Sequence, residues 1–339
     1  MAVVETEPAP VPDTDTSRPR RTGWARLGSV EALAATVVLV LIGRGWLIEQ
    51  FSSPRTLTLI TIFVSIMVQA LPFLVLGTIL SASITAFVPT RFFERALPRS
   101  PAAAVPVAGL AGVVLPACEC GSVPVAGALM RRGVVPAAAF AFLLASPAIN
   151  PIVLISTAVA FPGQPSMVLA RFVASLVTAV GMGWLWLRLG RPSWLRPVRL
   201  PDSHIEHGWA AFWTSCRHDL VQAGGFLVIG ALAAATLNVT VPPTWLETIA
   251  ANPVFSVIAL ALLAVLLSIC SEADAFVAAS LSQFSFTARL AFLVVGPMVD
   301  LKLFAMQVGS FGPKFAVRFA PATFVMAILV AALVGWVFW

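Results

Sequence analysis

The stretch Leu115–Pro124 reads L-P-A-C-E-C-G-S-V-P and interrupts an otherwise apolar segment that extends from about 102 to 131. Its two prolines and its glycine prevent a continuous helix, because proline lacks the backbone N–H and its ring clashes with the preceding turn. A similar interruption, Cys270–Asp274 (C-S-E-A-D), divides a second apolar segment, 253–285. We therefore expect two helices that are broken at polar sites containing cysteine.

The composition of the chain is typical of a membrane protein. Of its 339 residues, 59% are hydrophobic and only 11% are charged, whereas soluble domains carry roughly 25% charged residues. The mean hydropathy of +0.94 leaves too little polar surface to cover a soluble globule. We predict a polytopic integral protein of the cytoplasmic membrane.

Several functional classes are disfavoured by the sequence. It contains neither the nucleotide-binding pattern G-x-x-x-x-G-K-[ST] nor the zinc-protease pattern H-E-x-x-H. The net charge of +6 comes from basic residues in short segments between apolar runs, so we predict no nucleic-acid partner. Four cysteines are too few for a secreted disulfide framework. A permease, rather than an enzyme, is the predicted class.

Apolar segments long enough to cross a bilayer, about 20 residues, recur along the chain. The polar, proline-rich segment 1–29 is predicted to be a disordered cytoplasmic tail. The segment 30–55 is predicted to hold the first transmembrane helix and an outer loop. We predict an all-α polytopic membrane protein with spans at 30–49, 56–88, 134–161, 165–189, 218–242, 288–311 and 316–338, and broken segments at 102–131 and 253–285.

The two halves of the chain resemble each other in blocks that occur in the same order, although chance similarity between apolar segments is an alternative explanation. We predict two permease repeats, 56–189 and 218–339, joined by a basic cytoplasmic linker, 190–217. The matched blocks include Val68–Gly77 with Val221–Gly230, Cys118 with Cys270, and the polar break Ser146–Asn150 with Gly296–Asp300.

The relative direction of the repeats depends on whether the broken segments cross the membrane. As re-entrant hairpins, they give about seven crossings plus two hairpins, and the halves become inverted repeats. If the hairpins cross, the chain has eight or nine spans. Cytoplasmic loops are enriched in Lys and Arg. The hairpin arrangement with a cytoplasmic N-terminus places nearly all Lys and Arg residues of the chain in the cytoplasm. The cytoplasmic residues are then Arg18, Arg20, Arg21, Arg26, Arg91, Arg95, Arg99, Arg131, Arg132, Arg188, Arg191, Arg196, Arg199, Arg217, Lys314 and Arg318, against Arg44, Arg55 and Arg289 outside.

The Cys-Glu-Cys sequence in the first break is the main candidate for a binding site. In an extended break, residues two apart can point the same way, so Cys118 and Cys120 can present two thiols to one ligand. Thiolates select soft species such as Cu(I), zinc or trivalent arsenic. The alternative is that both cysteines are small apolar packing residues.

Charged groups inside a membrane are costly and mark transport pathways by default. Glu119 and Glu272 are our candidates for proton coupling, because a carboxyl group in an apolar environment can bind and release a proton. Asn150 is expected to orient the substrate by hydrogen bonding, and Arg171 to extend to the outer surface. The other candidates for the polar pathway are Asp274, Asp300 and Lys302, of which the last two can also neutralise each other.

The longest motif surrounds the first break and continues to Pro151. It contains P-A-C-E-C-G-S-V-P-V-A, then L-M-R-R-G-V-V-P and F-L-L-A-S-P-A-I-N-P, and it resembles the signature of the ArsP/YraQ-type predicted permeases. The segment Leu71–Gly77 (L-P-F-L-V-L-G) also matches that family's pattern. The resemblance covers roughly Thr56–Trp339.

This resemblance implies export of trivalent organoarsenicals such as methylarsenite, with Cys118, Cys120 and Cys270 as the thiol positions. A transition-metal (zinc-related) permease and a non-transporting membrane subunit or scaffold are the alternatives. The expected partners are the lipid bilayer and a small thiophilic compound or metal ion. We predict no cofactor and no resident metal, and the sequence leaves the oligomeric state open.

Overall fold

A computed structural model describes residues 53–114, 118–196, 208–240 and 253–339, and every regular element within these ranges is a helix. The predicted tail, 1–29, and the predicted first span, 30–49, lie outside these ranges. The helices are α1 (Pro54–Phe87), α2 (Thr90–Ala96), α3 (Pro101–Ala111), α4 (Glu119–Arg131), α5 (Pro136–Ile149), α6 (Pro151–Ala160), α7 (Pro165–Leu189), α8 (Trp209–Thr240), α9 (Pro253–Leu267), α10 (Asp274–Ser280), α11 (Phe286–Val295), α12 (Leu301–Phe311) and α13 (Pro313–Phe338), with a 3₁₀ turn at Pro192–Trp194.

Five helical segments of the described chain are long and apolar enough to cross a membrane. They are accompanied by shorter apolar helices, including α3, α11 and most of α9. The prediction of an all-α, multi-pass membrane protein is therefore confirmed. The five long segments are Pro54–Phe87, Pro136–Ala160, Pro165–Leu189, Trp209–Thr240 and Pro313–Phe338.

Two predicted spans, 134–161 and 288–311, are each divided in the structure. The first is interrupted by one extended residue, Asn150, whose Oδ1 accepts a hydrogen bond from the N–H of Val153 and so caps α6. The second is interrupted between α11 and α12, where Asp300 Oδ1 accepts from the N–H of Leu303. A side-chain acceptor at this position satisfies an N–H that a helix start leaves unpaired. Apolar length alone does not reveal such breaks.

Apart from α2, which has no counterpart among the described residues of the second half, the same order of elements occurs in both halves. A long helix (α1 or α8) is followed by a broken segment, two shorter helices on either side of a capped break, and a long closing helix (α7 or α13). The helix α8 begins at Trp209, nine residues before the predicted span, so the last part of the predicted linker is helical. Residues 197–207 of that linker lie outside the described ranges.

The core of the protein is formed by α5 and α11. Every residue of α5 after Pro136 is buried, and so are Leu290–Val295 of α11. A helix that is apolar on all sides is stable only when other helices surround it. Helix α5 packs against α3, α4 and α7, whereas α11 packs against α9, α10 and α13.

Helices α1 and α4 approach each other most closely at two glycines. A Cβ atom added to Gly77 of α1 would overlap the Cα atom of Gly121 in α4. Gly121 follows directly after Cys120, so this crossing fixes the start of α4 against α1. Only residues without a side chain allow backbones to come so near, a common device in membrane helix packing.

We expect Gly77→Ala to destabilise the protein, because its methyl group must push α4 away from α1. Overpacking of this kind costs about 1–3 kcal/mol, which exceeds the gain in helix propensity of about 1 kcal/mol from replacing glycine. The measurement is thermal unfolding of the purified protein in detergent. Gly225→Ala is the matched control, since a Cβ atom there meets nothing within 4 Å, and its stability should be unchanged or higher. Equal stability of the two variants would contradict the predicted close approach.

Candidate functional site

The first break ends in a buried cysteine and a buried glutamate. Cys118 precedes α4 in extended conformation, with φ −76° and ψ 176°, and Glu119 and Cys120 are the first two residues of the helix. All three residues are at most 1% exposed. Pro124 lies inside α4 rather than in the break, so the helix begins earlier than the prolines alone predict. From Glu119 onward the backbone of this segment is helical as far as Arg131.

The thiols of the two breaks lie together. Cys118, Cys120 and Cys270 belong to one buried cluster, and the Cys118 thiol lies close enough to the other two thiols to interact with them. Cys270, in the second break, donates its thiol hydrogen to Oε2 of Glu272. The structure thus brings together three predicted thiol positions and one predicted carboxyl group, from segments more than 140 residues apart. All four cysteines of the chain are unpaired thiols.

A buried ion pair lies beside these thiols. Lys302 Nζ is 2.9 Å from Glu119 Oε1 and 3.3 Å from Asp300 Oδ2, and all three side chains are at most 3% exposed. Neutralisation of Asp300 by Lys302 was one expectation from the sequence, and the structure adds a shorter contact to Glu119. Within the described residues, Oε2 of Glu119 has no hydrogen-bond partner. One ammonium group therefore pairs with two carboxylates, and the second carboxylate oxygen of Glu119, Oε2, is left to accept a further hydrogen bond.

Arg171 does not extend to the outer surface as the sequence predicts; its side chain is fully buried. Its two terminal nitrogens bind the carboxylate of Asp274 at 3.0 and 2.8 Å. They also donate to Oγ1 of Thr157 at 2.8 Å and to the carbonyl oxygen of Ser271 at 3.3 Å. The reason for the wrong prediction is that Asp274, at the start of α10, offers Arg171 a bidentate carboxylate partner inside the protein.

A third ion pair, which sequence reasoning missed, lies at the opposite end of α4. Arg131 Nη2 is 3.0 Å from Asp219 Oδ2 and 3.1 Å from Ser81 Oγ, and Ser81 Oγ lies 2.6 Å from the same carboxylate oxygen. Asp219 is the single acidic residue of α8. A lone acidic residue in a long apolar helix is the signal that could have identified it.

An open cavity of about 720 Å³ lies at this end of α4. It is bordered by residues from α1, α4, α8, α12 and the segment after α7. Val123 and Pro124 reach its wall, and they follow Cys120 by about one helical turn, roughly 5 Å along the axis. The wall also includes Gly127, Met130, Arg131, Arg196, His218, Asp219, Gln222 and Phe311.

Asn150 takes a structural role in the described chain. Besides capping α6, its Nδ2 donates to the carbonyl oxygen of Ser146 at 3.2 Å, and the side chain is fully buried. The prediction that it orients a substrate remains untested. Among the described residues, no group of three His, Cys, Asp or Glu is arranged to hold a metal ion.

Comparison with known proteins identifies related membrane proteins. The model of the ArsP predicted permease family matches residues 56–336. A Streptococcus mutans protein named as a candidate two-component membrane permease complex subunit is 32% identical over 284 residues, covering 81% of this chain and 94% of that protein. The UPF0718 protein YcgR of Bacillus subtilis is 38% identical over 282 residues, covering 81% of this chain and 95% of YcgR. No solved structure matches this chain.

We expect Lys302→Met to destabilise the protein strongly, because it leaves the carboxylates of Glu119 and Asp300 buried without a cation. Removing one partner of a buried ion pair typically costs about 3–5 kcal/mol. Adding Glu119→Gln to this variant should restore part of the loss. The measurement is chemical or thermal unfolding in detergent, arranged as a double-mutant cycle.

The control for this cycle is Lys314→Met, which removes an exposed lysine next to the start of α13. Its effect should stay within about 0.5 kcal/mol, as for most surface substitutions. If Lys302→Met were as stable as this control, Lys302 would not carry the charge compensation that we assign to it.

Proposed function

The chain belongs to the ArsP predicted permease family, and on this premise we propose that it is a secondary exporter of thiophilic small molecules such as trivalent organoarsenicals. The observation that carries the proposal is the buried cluster of Cys118, Cys120 and Cys270, beside an ion pair formed by Glu119 and Lys302. A permease of this family needs a polar site within its apolar interior. This cluster is the one that we assign to substrate binding.

The chemistry of the cluster suits a trivalent arsenical. Methylarsenite carries one methyl group and two hydroxyl groups on arsenic, so two thiols can replace both hydroxyl groups. Two As–S bonds then form as two As–O bonds break, and each thiol hydrogen leaves with a hydroxyl group as water. Soft thiolate ligands favour such a centre over hard cations. Cys118 can pair with either Cys120 or Cys270, so the cluster offers two alternative dithiol sites.

The topology that we propose is a pair of inverted repeats with re-entrant hairpins. It is supported by the repeated order of elements and by the contact of Cys118 with Cys270, one from each break. Both ends of the first hairpin (α3 and α4) then lie on the cavity side of the membrane. Both ends of the second hairpin (α9 and α10) lie on the opposite side. Basic residues favour a cytoplasmic location for the cavity side, because Arg131 and Arg196 border it. Substrate would enter from the cytoplasm through this cavity.

Proton coupling is the proposed driving force. Around the thiols, four carboxyl groups (Glu119, Glu272, Asp274 and Asp300) face two cationic side chains (Arg171 and Lys302). Uncompensated negative charge is costly in an apolar interior, so the cluster lowers its free energy by binding protons. Glu272 is partly exposed and accepts the Cys270 hydrogen, which links proton exchange to the thiol that binds substrate.

A second candidate function is a membrane subunit that acts only with a partner protein. The name of the Streptococcus relative, which refers to a two-component complex, supports it. A partner that co-purifies in stoichiometric amounts, together with no flux through the isolated protein in proteoliposomes, would favour this candidate. Flux of Zn²⁺ but not of methylarsenite in the same proteoliposomes would instead favour the transition-metal permease.

We expect the double substitution Cys118→Ser and Cys120→Ser to abolish methylarsenite resistance and export, because serine cannot form stable bonds to arsenic. Growth of an arsenical-sensitive host and uptake by everted vesicles are the measurements, at equal amounts of protein in the membrane. Cys216→Ser is the matched control, since Cys216 is buried apart from the thiol cluster, near Ala82 and Phe212. Unchanged methylarsenite export by the double variant would contradict the thiol mechanism.

We expect Glu272→Gln to uncouple transport from the proton gradient while retaining substrate exchange. The glutamine side chain still accepts the hydrogen bond from Cys270 but cannot bind a proton. In everted vesicles, the variant should exchange labelled for unlabelled methylarsenite at a rate close to wild type and fail to accumulate it when a proton gradient is imposed. Accumulation at the wild-type level would show that Glu272 carries no coupling proton.

A further inference from the structure

Arg171 is the largest fully buried side chain of the described residues, and it joins three separate elements. It projects from α7, binds Thr157 of α6, and holds both Asp274 and the carbonyl oxygen of Ser271 in the second broken segment. Ser271 is the direct neighbour of Cys270. The guanidinium group therefore ties the thiol-bearing end of that segment to the first half of the chain.

This contact lies between the thiol cluster and one surface of the protein. The loop 161–164 connects α6 to α7, and Arg171 follows Pro165 by six residues, which is about 9 Å of helix. The guanidinium group of Arg289 lies 6.0 Å from the ring centroid of Phe161, so the start of α11 reaches the same surface. We call this surface the loop side, because it lies at the end of α7 away from the cavity.

The two arginine–aspartate pairs differ in burial. The pair Arg131–Asp219 borders the open cavity, and its side chains are 23% and 9% exposed. The pair Arg171–Asp274 is sealed, with side chains 0% and 3% exposed. Each pair joins a broken segment of one half to a long helix of the other half. Among the described residues, the ion pair on the cavity side therefore borders open space, whereas the ion pair on the loop side is enclosed by protein.

We propose that the Arg171–Asp274 pair is the loop-side gate of the transport pathway, and that Arg171 is the positioning residue that holds Cys270 against Cys118. The inference rests on the proposed transport function, since alternating access requires the site to open to one side at a time. Breaking the pair releases Asp274 and the Ser271 carbonyl oxygen together. The segment 268–273 and the seven-residue helix α10 can then move away from α6 and α7, which uncovers Cys270 toward the loop side.

The test measures the reactivity of Cys270 with a membrane-impermeant maleimide, without any substrate. Reagent is added to intact cells or to everted vesicles, and the labelled cysteine is identified by peptide mass spectrometry. In wild type, Cys270 should react slowly with reagent added on the loop side. Arg171→Gln should raise that rate by about tenfold or more, because each lost hydrogen bond to a charged group shifts the closed–open equilibrium. Labelling from the cavity side should change little.

Two further variants keep the test decisive. Arg289→Gln is the matched control, because it removes a cation near the loop side that has no contact with Asp274, and it should label like wild type. Arg171→Lys keeps the charge but loses the bidentate contact, so an intermediate rate is expected. Three outcomes would overturn the gate. Both Arg171 variants could label at the wild-type rate, the labelling rate could increase equally from both sides, or both variants could fail to reach the membrane.

The result of the labelling test can be distinguished from the result of the methylarsenite export test. If Arg171→Gln exposes Cys270 while the Cys118→Ser and Cys120→Ser substitutions leave methylarsenite export intact, the gate stands and the thiol mechanism fails. If the cysteine substitutions abolish export but Arg171→Gln labels like wild type, the substrate proposal stands and the gate fails.

Discussion

The ammonium group of Lys302 lies 2.9 Å from a carboxylate oxygen of Glu119, in an interior where neither charge is stable alone. The two residues come from opposite halves of the chain, as do Arg171 with Asp274 and Arg131 with Asp219. An unpaired charge at this depth costs several kcal/mol, so the halves are strongly constrained to pack with their breaks facing each other. The arrangement of the thiols follows from this constraint.

The breaks also organise the electrostatics around the thiols. Helices α4 and α12 both begin near the cluster, at Glu119 and Leu301. A helix start carries partial positive charge from its unpaired N–H groups, which stabilises the nearby carboxylates of Glu119 and Asp300. Asp300 caps the start of α12, and Asn150 caps the start of α6. Irregular backbone is tolerated here because it is enclosed by protein.

Much of the fold could be predicted from the sequence, because apolar length, proline and glycine are local signals. The ranges predicted for α1, α7 and α13 agree with the structure to within about three residues, the precision expected at helix ends. The two cysteine-containing breaks were also predicted. The divisions at Asn150 and before Leu301 coincide with the matched polar breaks of the two halves. They did not shorten the predicted spans, since a capped break inside a long apolar run leaves its hydropathy unchanged.

The sequence by itself determined that this is a multi-pass membrane protein and which residues interrupt its helices, because hydropathy and backbone propensity act over a few neighbouring residues. It also identified Cys118, Glu119, Cys270 and Lys302 as unusual in an apolar setting. Only the tertiary structure decided which of them meet: Lys302 contacts Glu119 across 183 positions, and Arg171 turns inward to Asp274 across 103. Such partners are chosen by the packing of whole helices, which no local pattern specifies.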